Sequence, residues 1–178
     1  MSLRGIAAVF ILLGWVYSLD ASTVSVESLF TDLSPDHCKT IEADEESGSS
    51  VQKCPGVAGY GLLVEEDDGR QSATLLAPDG KRHPLDFWQV ITSGFSVVGD
   101  KAEWRVVRSG DQVRPVALIV PVYANENPDA PDEKTSYRAV AKITGEKICV
   151  TAKLAGGAGG EEKAKRAADA AAGQPCLE

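Results

Sequence analysis

The chain has very little that could hold a metal or run nucleophilic chemistry. It carries two histidines, His37 and His83, and four cysteines in 178 residues. No cysteine has another within about ten residues, whereas zinc sites bring ligands together in spacings such as C-x-x-C. There is no G-x-S-x-G elbow to expose a serine nucleophile, and no G-x-x-x-x-G-K-[ST] loop to cradle a phosphate. The alternating acids of an EF-hand are missing as well. Basic residues are outnumbered, 18 Lys and Arg against 26 Asp and Glu, for a net charge of −8. Binding to a phosphate backbone rests on Lys and Arg, so nucleic acid is excluded as a partner, and docking on anionic lipid is disfavoured. A basic protein is the compatible partner.

Long apolar runs are also absent, with one exception. Residues 1–5 carry Arg4 and no acid, and Ile6 to Leu19 then run almost without polarity. That is a positive start followed by an apolar stretch of signal-peptide length, shorter than the roughly 20 residues that span a bilayer. The segment 1–21 is therefore expected to be a signal peptide, cleaved after Ser18 or Ala21, with a periplasmic or secreted product. No second apolar run is long enough to span, and no cysteine stands at the leader's end for lipidation. Stable membrane insertion after cleavage is not expected. The remaining residues 22–178 are enough for one domain with its own core.

Four cysteines behind such a leader are expected to be oxidised. They are Cys38, Cys54, Cys149 and Cys176, and they allow three pairings. Local closure favours Cys38–Cys54 and Cys149–Cys176, each worth about 3 kcal/mol through the unfolded state.

Between these cysteines the pattern is mainly that of strands. Residues 22–36 form a polar lead-in or a short helix, and the acidic stretch Glu42 to Ser50 is an exposed loop under the first bridge. Tyr60 to Glu65 and Gln71 to Ala77 pair through Asp68-Gly69, a strong hairpin signal. Pro84 to Thr92 places Leu85, Trp88 and Ile91 on one face of a short helix. Strands follow at Trp104 to Arg108, Val113 to Tyr123, Ser136 to Thr144 and Lys147 to Leu154. In the third of these, Tyr137, Ala139, Ala141 and Ile143 alternate with more polar neighbours, as suits an antiparallel sheet with one packed face. A glycine-rich link, Gly156 to Gly160, leads into Glu161 to Ala172, rich in strong helix formers and opened by two acids that favour the helix's positive end. Gly173 and Pro175 stop it. The expected fold is α+β: an antiparallel meander with a C-terminal helix packed on it, stapled by disulfides.

No cluster in this pattern carries recognisable catalysis. His37 follows Asp36 beside a cysteine, and His83 sits in a basic turn. The acidic runs at Glu42 to Glu46 and Glu65 to Asp68 are read as solvated charge, with calcium or paired-carboxylate chemistry the less favoured alternatives. The glycines before the last helix precede Glu161 and Glu162, which repel phosphate, so they are a connector. Trp88 and Trp104 are read as sheet or core residues rather than ligand platforms.

The order of elements resembles a group of uncharacterised secreted or periplasmic proteins of proteobacteria. The residues that carry the resemblance are Asp32-Leu33, Cys38, Ile41-Glu42, Cys54-Pro55-Gly56 with Gly59, Phe95, Gly99, Glu103-Trp104-Arg105, Ala139 to Ile143, Cys149, and Ala164 to Cys176. The resemblance implies compartment and fold and no chemistry. The expectation is a non-enzymatic binding or envelope protein without a cofactor. An inhibitor of a basic hydrolase such as lysozyme is the sharper alternative, because acidic surfaces speed association with cationic enzymes. A hydrolase with an unrecognised site is the other.

Overall fold

The computed structural model describes residues 25–130 and 132–178. The segment read as a signal peptide lies outside the described residues. Eleven strands among the described residues join one hydrogen-bonded sheet, which folds into two facing wings. The first wing is antiparallel, in the order β1 (Ser25–Asp32), β8 (Lys101–Ser109), β9 (Gln112–Ala124), β10 (Thr135–Ile143), β11 (Ile148–Ala155). The second is antiparallel too, running from β2 (Lys39–Ala43) through β3 (Ser50–Pro55), β4 (Gly61–Asp67) and β5 (Arg70–Leu76) to β6 (Arg82–Pro84).

The short strand β7 (Ser96–Val98) is the bridge between wings. It pairs antiparallel with the end of β9 and makes one parallel bridge, Arg70 to Ser96, with β5. The chain passes from β7 into β8 through Gly99, whose N–H donates to the Pro121 carbonyl at 2.8 Å. A Cβ there would sit 2.9 Å from Pro121 and 3.0 Å from the Tyr123 ring, so glycine is what lets this bend lie so close to β9.

Alternation builds the core. Ala102, Trp104 and Val106 of β8, Leu118, Val120 and Val122 of β9, and Ala139, Ala141 and Ile143 of β10 point inward. They meet Leu62 and Val64 of β4 and Ala73 and Leu75 of β5. Trp104 is fully buried, and its indole N–H donates to Thr31 Oγ1 on β1 at 2.8 Å. That bond satisfies the one polar atom of the largest core residue.

The outer face of the first wing is covered as well. The helix α2 (Gly160–Asp169) lays Ala164 and Ala168 on Ala117, Ile119 and Val140. Small side chains bring helix and sheet together, and a short 3-10 turn at Ala171–Gly173 extends the contact. Disulfides join Cys38 to Cys54 and Cys149 to Cys176. The second ties the segment after α2 to β11, where the Leu177 N–H donates to the Val150 carbonyl at 2.8 Å and covers part of that strand's edge.

Several expectations change. Antiparallel strands, the C-terminal helix and two disulfides are present, but the molecule is dominated by its sheet and has little helix, so α+β overstates the helical share. The sheet is mixed rather than a pure meander because of the parallel bridge at Arg70. The described part of the lead-in 22–36 is no helix: it begins with β1, where Leu29 and Thr31 stand opposite Trp104 and Ala102 of β8. The acidic loop is the turn of a hairpin whose arms are β2 and β3. The helix expected over Pro84 to Thr92 shrinks to one turn, α1 (Phe87–Val90). Asp86 enters it at φ 50° and β-branched Val90, Ile91 and Thr92 close it.

Candidate functional site

Cross-strand register brings the two acidic runs together. On the outer face of the second wing, Glu42 of β2 stands opposite Val51 of β3, and Val51 stands opposite Glu65 of β4. Glu65 in turn faces Ser72 of β5. Asp67 shares the Glu65 side of β4 because the side-chain period along a strand is two. A bulge between Thr40 and Glu42 sets this register, turning Glu42 toward the row.

The end of that row positions an aromatic. Ser72 Oγ accepts the Phe87 N–H at 3.0 Å and so fixes the start of α1. Phe87 and Ile91 go into the core with Leu85. Trp88 therefore leaves the face shared with Leu85 and Ile91 that the helical reading gave it. It lies half-buried on the other side, beside the acids. Glu42, Asp44, Glu65, Glu66, Asp67 and Trp88 together line an open depression of about 330 Å³.

Its carboxylates are held but not neutralised. Glu65 accepts from Thr74 Oγ1 at 3.0 Å, and Glu66 from Gln71 Nε2 at 3.0 Å. Asp44 accepts the Glu46 and Ser47 backbone N–H groups at 2.9 and 3.4 Å, and these bonds hold its carboxyl below the usual aspartate range. Among the described residues none of the five carboxylates has a Lys, Arg or His within ion-pair distance. The Trp88 indole N–H is shut off from solvent and donates to nothing. Glu42 and Glu65 are two strands apart, about 10 Å at the backbone. Among the described residues no three His, Cys, Asp or Glu side chains are placed to hold a metal ion. The carboxylates and the indole face both favour the charge of an organic cation.

The other sequence candidates lie elsewhere. The four cysteines are all in disulfides. His37 is exposed; its Nδ1 is 3.0 Å from Ser34 Oγ and 3.5 Å from Asp32, rather than engaged with its neighbour Asp36. The Ser34 hydroxyl donates to Asp32 at 2.6 Å, so its single proton is already committed to the carboxylate. His83 is half-buried in β6 opposite Leu75. Trp104 is core, as expected. The glycines at 156, 157 and 159 form the connector into α2, which Gly160 opens, with Glu161 and Glu162 in its first turn.

Paired acids do occur, in the opposite wing. Under α2, Arg105 donates to both carboxylate oxygens of Asp169, at 2.7 and 3.1 Å. It also bonds Ser28 Oγ, which in turn donates to Glu103. The Asp169 contact holds the Arg105 guanidinium above its ordinary range. This network is a clamp between β1, β8 and the helix.

No known protein family, no curated protein and no solved structure matches this chain.

Proposed function

We propose that this is an exported, non-enzymatic binding protein that takes a basic partner on the acidic face around Trp88. One observation carries the reading: five carboxylates without a cationic partner surround a half-buried tryptophan in one depression. Exposed charges are individually weak contributors, but a concave patch of one sign raises the encounter rate with opposite charge. A Lys or Arg side chain from a protein partner fits best. It supplies the cation for the carboxylates, and its stem packs on the indole face. Two disulfides support an oxidising compartment, and no helix among the described residues is long and apolar enough to cross a membrane.

The sharper form of this reading is inhibition of a basic hydrolase such as lysozyme, with the acidic face covering the enzyme's cationic surface. The test is the association rate with lysozyme at about 20 mM and about 150 mM salt, where screening lengths differ more than twofold. The expected rate falls at least about tenfold at the higher salt, and lysis slows in the low-salt arm. Undiminished lysis at micromolar protein removes the inhibitor form. Absence of any binding to cationic proteins at low salt removes the whole reading.

A further inference from the structure

A second depression, of about 450 Å³, opens on the other side of the β4–β5 hairpin tip and shares no lining residue with the acidic one. Its wall is an aromatic ring held in place on rigid backbone. Phe95 is 59% exposed, unusual for phenylalanine, yet it is not on a loose tip. Its carbonyl accepts the Asn125 N–H at 2.9 Å, and the next residue, Ser96, donates its N–H to the Gly69 carbonyl at 3.2 Å. The ring lies against Gly69, which sits at φ 68°. A Cβ there would come within 2.9 Å of the ring, so the hairpin tip accommodates Phe95 only because that residue is glycine.

The polar groups around the ring are planar and collectively neutral. Arg70 donates to Asp68 at 3.2 Å, so neither a free cation nor a free anion finds an unpaired counter-charge here. Asn127 uses Oδ1 to accept the Asp129 N–H at 3.0 Å and keeps its amino group for an outside acceptor. The Asn125 amide makes no hydrogen bond within the described residues, and its Oδ1 is shut off from solvent without a donor. Turning that amide outward breaks no internal bond and gives the oxygen the partner it lacks. An apolar ligand would leave both amides unpaired, and a cation has a better site on the acidic face. What remains is a ligand with one apolar face and a ring of hydroxyls, each able to donate and accept.

We propose that this depression is a saccharide-binding site. Phe95 stacks on the apolar face of a sugar ring, and the Asn125 and Asn127 amides with the Asp68–Arg70 pair bond its hydroxyls. The site does not depend on the acidic face.

The test is a ¹H–¹⁵N NMR titration of the oxidised full-length product with three neutral probes at millimolar concentration: chitotriose, maltotriose and galactobiose. At least one is expected to shift the Asn125 and Asn127 side-chain amides and the Gly94 and Phe95 backbone signals, with saturation. Phe95→Ala, exposed enough to leave folding intact, is expected to weaken that binding roughly tenfold, the scale of one lost stacking contact. Neutralising Glu42 and Glu65 to glutamine leaves it unchanged. No shifts with any of the three sugars, shifts centred on Trp88 instead, or equal affinity in Phe95→Ala would each overturn the proposal.

Discussion

The two wings of this molecule treat charge in opposite ways. On the outer face of the first wing, buried Arg105 and Glu103 are tied to Asp169 and Ser28, and a helix lies over the apolar strip beside them. On the outer face of the second wing, Glu42, Glu65 and Asp67 have no cationic partner, and only the single turn α1, through Trp88, lies beside them. The same antiparallel construction serves both. The difference is that α2 and the Cys149–Cys176 link close the first wing on both faces, while the second is closed on its inner face alone. The closed wing is scaffold, and the open one carries the face proposed above to take a basic partner.

That contrast predicts which substitutions unfold the protein and which change binding. Trp104→Ala is expected to have the largest effect on stability, about 4 kcal/mol, because it empties the core and orphans Thr31 Oγ1. Trp88→Ala, on the open face, is expected to cost about 1 kcal/mol or less and to weaken binding of a basic partner. Urea unfolding of both variants makes the comparison, and equal losses would break it. Next comes Cys149→Ser with Cys176→Ser. Removing the 27-residue link is expected to cost about 3 kcal/mol by the same measurement. Asp169→Asn follows at about 1 kcal/mol. The carboxylate it weakens is 41% exposed, and the buried guanidinium keeps Glu103 nearby.

The smallest effect is a pH dependence. The Ser34 hydroxyl, then its backbone N–H, hold the Asp32 carboxyl below its ordinary 3.8. The fold favours the ionised form, so this contribution is complete above pH 3.8 and is lost as pH falls through the depressed native value. Ser34→Ala is expected to lower the stability plateau near neutrality slightly and to leave the acid end unchanged, so that variant and parent converge below the native Asp32 value, as measured by urea midpoints across pH.

Much of the first wing could be read from its residues. Ala139, Ala141 and Ile143 alternate cleanly, and the strands from Trp104 to Leu154 follow one another closely in the chain, so local pattern and pairing agree. The hairpin at Asp68-Gly69 was legible too, since both residues adopt the positive φ its turn demands. The local cysteine pairing inferred from loop length is the pairing found. β1 was not legible because its partner β8 begins some 70 residues later, and a half-exposed edge strand such as SVESLFTD has a weak period. α1 is a single turn, too short for helical periodicity to place Trp88.

The acidic site was missed for a related reason. Read along the chain, Glu42 to Glu46 and Glu65 to Asp68 are two solvated runs, and neighbouring carboxylates point apart. Across the chain, the antiparallel path β2–β3–β4 folds one run back beside the other. The available signal was that the runs flank β3 and each adjoins a hairpin turn, so in an antiparallel ribbon of three strands both fall at the same end. The bulge that turns Glu42 toward Val51 has no sequence signature here.

The most direct test of the account is the affinity of a cationic protein such as lysozyme for the variant carrying Glu42→Gln, Glu65→Gln and Asp67→Asn, measured at low salt beside the parent. The account predicts at least about tenfold weaker binding with the urea midpoint unchanged, since the lost carboxylates are unpaired with any cation in the fold. Equal affinity in parent and variant would contradict it.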